Sequence, residues 1–303
     1  METTNCIETT GLNYHFSKND QVLKDINLAV PKGSIYGFLG PNGAGKTTTL
    51  KLILGLLKNQ TGKIAFFGKN FHDNRIETLK KVGSLIEAPS IYPQLTAIEN
   101  LKIWQKIYQC PKERIQEVLE IVDLAQTGKK KAGKFSLGMK QRLSIAVAML
   151  HQPEVLVLDE PTNGLDPSGI IEMRRLLIRL NEQENTTIII SSHLLSEIEK
   201  LVTHIGIINK GQILFQGTLK ELQRLQDRGS SILFKTNNSA AVMKIAEEKN
   251  ISGKVENDAV VLPALEKELI AELVKGITNQ DISIYEVSQQ KSDLESIFMD
   301  LTK

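Results

Sequence analysis

The sequence predicts an α/β protein whose mainly parallel sheet carries a helical subdomain and is followed by a small C-terminal α+β domain. Short apolar strand segments alternate with helical segments up to residue 225, an order that favours a parallel sheet with helices on both faces. Beyond that point the pattern changes, and residues 226–303 are net acidic whereas the rest of the chain is net basic. We therefore expect two domains, residues 1–225 and residues 226–303, with the helical subdomain at about residues 88–150.

The first strands and the first helix frame a glycine-rich loop. Apolar and β-prone residues predict strands at 7–16 and 22–30, and an apolar run bounded by glycine predicts a buried strand at 34–39. Apolar residues at helical spacing predict a helix from Lys46 to about Leu57. A strand and a turn are expected at residues 62–68.

The middle of the chain is predicted to be helical before it returns to the sheet. Leu95, Ile98 and Leu101 keep a helical spacing, which predicts that residues 91–128 are mostly helical. The apolar run at 155–158 predicts a strand buried on both faces. The later elements are expected to be a helix at 168–181, a strand at 186–191, a helix at 194–202, and a hairpin of strands 204–209 and 212–216.

The second domain is expected to begin after a linker at residues 226–230. Its predicted strands lie at 231–235, 260–262 and 282–287, and its predicted helices at 240–249, 265–275 and 294–301. This mixture predicts a small α+β domain, since the regular alternation of the first domain is lost.

Composition excludes several classes of protein. The net charge of +2 gives no argument for a nucleic-acid partner. The two cysteines, Cys6 and Cys110, are too far apart for a disulfide framework or a cysteine-rich metal site. No apolar run approaches the ~20 residues of a membrane helix, and the N-terminus lacks the pattern of a signal peptide. If the protein serves a membrane process, another polypeptide must cross the membrane.

Residues 40–47, GPNGAGKT, fit the phosphate-loop pattern G-x-x-x-x-G-K-[ST]. Glycines let backbone N–H groups turn toward phosphate oxygens, and the following helix favours anions at its N-terminus. A chance glycine turn is the weaker alternative, because the loop follows a predicted strand and precedes a predicted helix. The residues expected to bind ATP here are Gly40, Pro41, Asn42, Gly43, Ala44, Gly45, Lys46, Thr47 and Thr48.

Two adjacent acids end the apolar strand at 155–158. Asp159 is expected to hold Mg²⁺ together with the Thr47 hydroxyl. Glu160 is expected to orient and deprotonate the attacking water, while Lys46 reaches the β- and γ-phosphates. The alternative is that these acids only cap a following helix. In a chain that already has a phosphate loop, that alternative is the minor one.

The segment FSLGM at residues 135–139 lies between the phosphate loop and the two acids. With this segment in that place, the chain resembles the ATP-binding subunits of ABC transporters, which have a P-loop NTPase fold. The resemblance covers residues 7–225. It implies that two subunits form a homodimer and bind ATP and Mg²⁺ between them. It also implies a peripheral protein at the cytoplasmic face of the cell membrane, where a separate transmembrane permease contacts the transported substrate.

The resemblance assigns roles to further residues. Ser136 and Gly138 would meet the γ-phosphate of the ATP held by the partner subunit. Asp166, in the segment NGLD at 163–166, matches an acidic position that meets the partner. His193 matches the switch histidine that contacts the γ-phosphate and Glu160. A lone histidine is more often structural, but strand position and motif order favour the functional role here.

An aromatic residue of the first strand region stacks on adenine in this family. Phe16 is the first choice, because of its distance from Leu23 and the phosphate loop. Tyr14, expected on the same strand face, is the alternative. Each of the two could equally be an ordinary core residue.

The family's usual signature, Leu-Ser-Gly-Gly-Gln, is altered in this chain. Leu137 replaces the first glycine and Met139 replaces the glutamine, while Gly138 is kept. Leu137 restricts the backbone near the γ-phosphate. We expect closure on ATP still to work through the Ser136 hydroxyl and the N–H groups from Gly138 onward, so that a bulky acid at Ser136 abolishes turnover.

The loop that normally carries a glutamine carries Glu87 instead. A carboxylate is a stronger Mg²⁺ ligand than an amide, so Glu87 is expected to join Thr47 and Asp159 at Mg²⁺, although its charge adds repulsion beside phosphates. The alternative is an exposed acid in a turn. The loop with Glu87 resembles that of the ATP-binding subunits of lantibiotic immunity transporters and bacitracin-resistance exporters. The segment at 292–298 also resembles the end of many export subunits, without identifying a substrate.

Two other functions are weighed against a transport ATPase. The first is a soluble ABC-type ATPase that acts as a switch on nucleic acid or ribosomes. Proteins of that class typically carry two ATP cassettes or a long coiled coil, and this chain has one cassette, no such insertion and no basic stripe. The second, a small-molecule kinase, has no need of the FSLGM and NGLD segments.

Overall fold

The computed structural model describes residues 4–17, 19–58, 61–87, 91–228 and 231–290. The chain divides into two compact units, one that runs to Leu219 and one that begins at Lys220. No helix among these residues is both long and apolar enough to cross a bilayer. The predicted α/β class is confirmed in the first unit, which mixes a mainly parallel sheet with helices on its faces.

The first unit contains eleven strands among the described residues, which form two sheets. They are β1 (Asn5–Ser17), β2 (Asp20–Ile26), β3 (Ala29–Pro31), β4 (Ile35–Leu39), β5 (Thr61–Phe66), β6 (Lys69–Asn70), β7 (Val82–Leu85), β8 (Val155–Asp159), β9 (Thr187–Ser192), β10 (His204–Asn209) and β11 (Gln212–Thr218). The strands of the central sheet are almost wholly buried, as the apolar runs predict.

The central sheet has the order β11-β10-β4-β9-β8-β7. Its strands from β10 to β7 run parallel, and only β11 is antiparallel, as the second strand of the predicted hairpin. The carboxyl ends of β4, β7, β8 and β9 therefore meet at one edge of the sheet. This is the edge at which ligands bind in open α/β sheets.

The N-terminal strands form a separate antiparallel sheet of order β2-β1-β5-β6, with β3 also paired to β1. The single strand predicted at 22–30 is wrong, because β2 ends at Ile26 and β3 begins at Ala29. The break follows Asp25, whose φ of 53° is left-handed and interrupts the extended backbone. The long strand β1 reaches past the break and pairs with both pieces.

Seven α-helices of the first unit cover or extend from the central sheet within the described residues. They are α1 (Lys46–Ile53), α2 (Arg75–Leu79), α3 (Ala97–Tyr108), α4 (Arg114–Ile121), α5 (Leu137–Met149), α6 (Pro167–Gln183) and α7 (Leu195–Ile198). Helix α1 ends before the predicted Leu57, because Gly55 follows with a left-handed φ of 67°. Helix α3 begins with a capping box in which Thr96 and Glu99 satisfy each other's backbone N–H groups.

An eighth helix, α8 (Leu219–Arg228), runs through the predicted domain boundary. The linker predicted at residues 226–230 is therefore wrong for residues 226–228, which are helical. Residues 229 and 230 lie outside the described ranges. Gln226, Asp227 and Arg228 are ordinary helix-compatible residues, and the first strong helix breaker in the sequence is Gly229.

The second unit has its own sheet and core. Its elements are β12 (Ser231–Thr236), α9 (Ser239–Glu248), β13 (Lys254–Glu256), β14 (Ala259–Pro263), α10 (Lys267–Thr278) and β15 (Ile284–Gln290). The antiparallel order β13-β14-β12-β15 makes this a βαββαβ, ferredoxin-like arrangement. Phe234, Val242 and Leu273 are fully buried in its core. The helix predicted at 294–301 and the segment at 292–298 lie outside the described residues.

Candidate nucleotide site

The phosphate loop connects the carboxyl end of β4 to the N-terminus of α1. Gly45 is the N-cap of α1 and has a φ of 109°, which side chains rarely adopt. A Cβ atom at Gly40 would lie 2.2 Å from the carbonyl oxygen of Ile208, so the loop can pass the neighbouring strand only with glycine there. The sheet and α1 therefore hold the loop in a shape that leaves the N-terminus of α1 accessible to an anion.

Lys46 is the first residue of α1 and its side chain is only 5% exposed. Its Nζ donates to the carbonyl oxygens of Gly40 at 2.8 Å and Pro41 at 3.3 Å. It also lies 3.4 Å from Oε1 of Glu160. A buried ammonium needs such partners, and phosphate oxygens could replace them without leaving the charge unpaired.

Thr47 and Asp159 form a compact group of oxygen atoms beside the loop. The Thr47 hydroxyl donates to Oδ2 of Asp159 at 2.8 Å, and the Ser191 hydroxyl donates to Oδ1 at 2.5 Å. Mg²⁺ prefers oxygen ligands and usually takes one or two protein groups together with phosphate and water. Thr47 and Asp159 fit this requirement, and the described residues hold no cluster of three or more metal-binding side chains that would suit a fully protein-ligated ion.

Glu160 and His193 face each other across two neighbouring parallel strands. Because Asp159 pairs with Ser191 in the register of β8 and β9, the residues just beyond them share the same sheet edge. Nδ1 of His193 lies 3.1 Å from Oε2 of Glu160. The Glu160 N–H donates to the Ser191 hydroxyl at 2.9 Å, which holds Glu160 at its left-handed φ of 46°. The carboxylate is thus held by Lys46 on one oxygen and His193 on the other.

A cavity of about 320 Å³ lies against the phosphate loop. Its lining includes Phe16, Asp20 and Glu160 together with loop and helix residues. Phe16 is 61% exposed at its mouth, whereas Tyr14 is only 8% exposed and meets the Phe16 ring edge-on at a centroid distance of 5.1 Å. Phe16 therefore offers a free ring face beside the loop, and Tyr14 supports it from the core.

Ser136 and Asp166 each cap a helix. The Ser136 hydroxyl accepts from the Met139 N–H at 3.2 Å at the start of α5. Asp166 accepts from the Gly169 N–H at the start of α6, and the Ser168 hydroxyl and this N–H hold the pKa of the Asp166 carboxyl below its usual value. Both caps leave the N-terminus of a helix exposed.

The segments that carry these two caps contact each other instead of the phosphate-loop cavity. A Cβ atom at Gly164 would lie 3.1 Å from Cδ2 of Leu137, and one at Gly138 would lie 3.7 Å from Cδ2 of Leu165. Neither Ser136, Gly138 nor Asp166 lines the cavity at the loop of the same chain. Within one chain, the sequence-predicted site residues thus fall into two groups. One group surrounds the phosphate loop, and the other consists of Ser136, Gly138 and Asp166.

Glu87 lies just after β7, at the same sheet edge as Asp159 and Glu160. Its Oε1 atom lies 2.5 Å from Nζ of Lys51 on helix α1. Its described contacts do not include Thr47 or Asp159, so the structure does not bring it to the expected Mg²⁺ ligands. Its backbone is left-handed, with a φ of 63°, and the residues that follow, 88–90, lie outside the described ranges.

Sequence reasoning missed several residues that organise this site. Ser191 joins Asp159 to the backbone of Glu160, and Lys51 holds Glu87. Glu197 on α7 accepts a 2.7 Å hydrogen bond from Thr162, linking the segments that follow His193 and Glu160. None of these residues carries a local pattern; each owes its role to the order of strands in the sheet.

Comparisons with known proteins extend this picture. The ABC transporter family profile matches residues 23–163. The chain is 44% identical over 296 residues to the bacitracin transport ATP-binding protein BcrA of Bacillus licheniformis, covering 97% of this chain and 96% of that protein. It is 41% identical over 214 residues to the lantibiotic transport ATP-binding protein SrtF of Streptococcus pyogenes, covering 70% of this chain and 92% of that protein. In fold it is similar to cbiO1 from Clostridium perfringens, part of the ABC transporter complex cbiONQ, with a TM-score of 0.67 at 24% identity over 80% of this chain and 95% of that one.

Proposed function

The chain belongs to the ABC transporter ATP-binding proteins, and we propose that the ATP it binds and hydrolyses powers the export of a peptide antibiotic through a separate membrane permease. The observation that carries the substrate class is the likeness to the bacitracin transport protein over nearly the whole of both chains. That likeness covers 97% of this chain and therefore includes most of the second unit. The protein would act at the cytoplasmic face of the membrane.

The hydrolysis step needs a base, a proton path and a place for negative charge. Glu160 accepts a proton from a water molecule whose oxygen attacks the γ-phosphorus. The bond from that phosphorus to the bridging oxygen breaks, so that ADP and inorganic phosphate leave. His193, 3.1 Å from Glu160, orients the carboxylate and donates to the γ-phosphate. Lys46 moves its contact from the loop carbonyls to the phosphate oxygens, where charge develops.

Mg²⁺ would be held by Thr47 and Asp159, and when bound it supplies charge neutralisation for the phosphates. Ser191 keeps Asp159 oriented through its 2.5 Å hydrogen bond. This hydrogen bond from Ser191 holds the Asp159 carboxylate in one orientation, as partners of metal-ligating carboxylates usually do.

The grouping of site residues within one chain supports a shared site in a homodimer. The exposed N-terminus of α5, capped by Ser136, is suited to a phosphate, yet Ser136 does not line the loop cavity of its own chain. In a two-fold dimer, Ser136 and Gly138 of one chain would complete the phosphate loop of the other. Asp166, on the segment packed against Leu137, would lie at the same interface.

The alternative of a soluble switch on nucleic acid or ribosomes gains no support from the relatives. The bacitracin and lantibiotic proteins named above are transport ATP-binding proteins by description. The chain's net charge of +2 also offers no electrostatic reason to bind a polyanion.

Antibiotic susceptibility tests the proposed function. The chain, produced with its membrane permease in a sensitive host, should raise the concentration of bacitracin or a lantibiotic needed to stop growth. The same pair with Glu160→Gln should give no protection, since turnover is lost. Equal susceptibility of hosts with active and inactive chains toward every peptide antibiotic tried would overturn the substrate class while leaving the ATPase intact.

The loop with Glu87 gives a prediction about coupling. Glu87→Gln should leave ATP affinity within about twofold, because an exposed ion pair contributes little. It should alter the ratio of permease-stimulated to basal ATPase, because the exposed segment at Glu87 would lose its link to α1. The measurement is ATPase activity with and without the permease in lipid vesicles. Glu77→Gln, which removes a somewhat more exposed acid from another Lys–Glu pair, is the control. Unchanged stimulated and basal rates would contradict a coupling role for Glu87.

A further inference from the structure

The contact between Lys51 and Glu87 has no counterpart in the motifs that the sequence presents. Lys51 lies on α1, one helical turn after Thr47, so the two side chains share a face of the helix. Leu85 pairs with Leu158, which places Glu87 at the sheet edge where β8 ends with Asp159 and continues to Glu160. A carboxylate and an ammonium group therefore contact each other at the sheet edge that carries Asp159 and Glu160, one helical turn from Thr47.

We infer that Lys51 is a positioning residue for Glu87, which it fixes against helix α1 and whose charge it cancels when a nucleotide occupies the phosphate loop. A glutamine in this loop is neutral and needs no such partner. A glutamate adds a negative charge at the sheet edge that carries Asp159 and Glu160, and a positive charge at contact distance can compensate it. The proposal rests on ATP binding at this loop, as in the proposed function.

The geometry favours a charge-compensating contact over a purely structural one. The side chain of Glu87 is 64% exposed, and that of Lys51 is 29% exposed, so the pair adds little to the core. Exposed ion pairs stabilise folding only slightly.

ATP binding by the full chain, measured with EDTA and again with Mg²⁺, tests this inference. Lys51→Met should weaken binding of Mg²⁺-free ATP about two- to fivefold, the range that one exposed ion pair gives. The loss should be smaller for MgATP, because the ion neutralises the phosphates. Adding Glu87→Gln to Lys51→Met should restore the affinity of the Glu87→Gln single variant. Lys51→Arg should bind as the wild type does.

The controls separate the pair from general charge effects. Lys80→Met removes an exposed lysine from the pair Lys80–Glu77 and should leave ATP affinity unchanged. If Lys51 attracted the phosphates independently of Glu87, then Lys51→Met would weaken binding equally with and without Glu87→Gln, and the inference would be wrong. A wild-type chain that bound no ATP would overturn the nucleotide site itself, which is a different result.

Discussion

Glu160→Gln is expected to reduce ATP hydrolysis by about 10²- to 10⁴-fold, the contribution of a well-placed general base. Glutamine keeps the size of the side chain and its hydrogen-bonding oxygen, so the contacts with Lys46 and His193 can persist in altered form. Because a negative charge is removed beside the phosphates, ATP affinity should be kept or increased. Single-turnover hydrolysis and equilibrium ATP binding measure the two effects separately.

The same variant should accumulate as a closed dimer when ATP is added. Hydrolysis is the step that would separate the two chains, so a chain that binds ATP without cleaving it stays paired. Size-exclusion chromatography with ATP measures this. The matched control is Glu154→Gln, an acid next to the other end of β8 whose partners are Lys32 and Lys81. A Glu160→Gln chain that binds ATP but remains monomeric would speak against a shared site.

Ser136→Asp should reduce ATP turnover by about 100-fold or more, comparable with the loss of an oxyanion donor. Aspartate is as good an N-cap as serine, so α5 should begin at the same residue and the fold should be kept. The added negative charge would face the γ-phosphate of the partner's ATP. Ser136→Asn provides a neutral side chain of the same shape and capping ability, and it should retain far more activity. Equal activities of the Asp and Asn variants would show that no phosphate approaches Ser136.

The parts of the site that depend on contiguous residues could be predicted from the sequence. The phosphate loop, the two acids that end the apolar run 155–158 and the histidine after β9 each follow buried apolar residues, and parallel strands place their carboxyl ends together. Side-chain contacts between neighbouring strands could not be predicted, because no single segment of the sequence shows which strands will pair. Ser191 and Lys51 were missed for this reason, although they hold Asp159 and Glu87.

The aromatic residues of β1 show that side-chain exposure also could not be predicted from the sequence. Strict alternation would place Tyr14 and Phe16 on one face of the strand. The two rings do meet edge-on at a centroid distance of 5.1 Å, as side chains on one face can. Tyr14 is nevertheless buried and Phe16, one residue from the end of β1, is exposed. The sequence does not show this difference in exposure between the two candidates.

The boundary between the two domains was predicted from the sequence only approximately. A change in composition near residue 225 indicated a new module, but α8 continues to Arg228. Composition records which residues can form a separate core, whereas helix ends depend on breakers and caps. The strands and helices of the second unit were mostly predicted, and β13 was missed because Lys254–Glu256 is short and exposed. The ferredoxin-like topology of the second unit can be identified only once the pairing of its strands is known.

In the dimer that we propose, each ATP is bound by the phosphate loop of one chain and by Ser136 of its partner. Mixing two inactive variants tests it most directly: Lys46→Ala, which lacks the loop lysine, and Ser136→Asp. In a two-fold dimer, one of the two sites of each mixed pair contains an intact loop and an intact Ser136. Single-turnover hydrolysis should then rise from near zero for either variant alone to about one quarter of the wild-type amplitude in an equimolar mixture. A mixture no more active than its components would contradict the shared site.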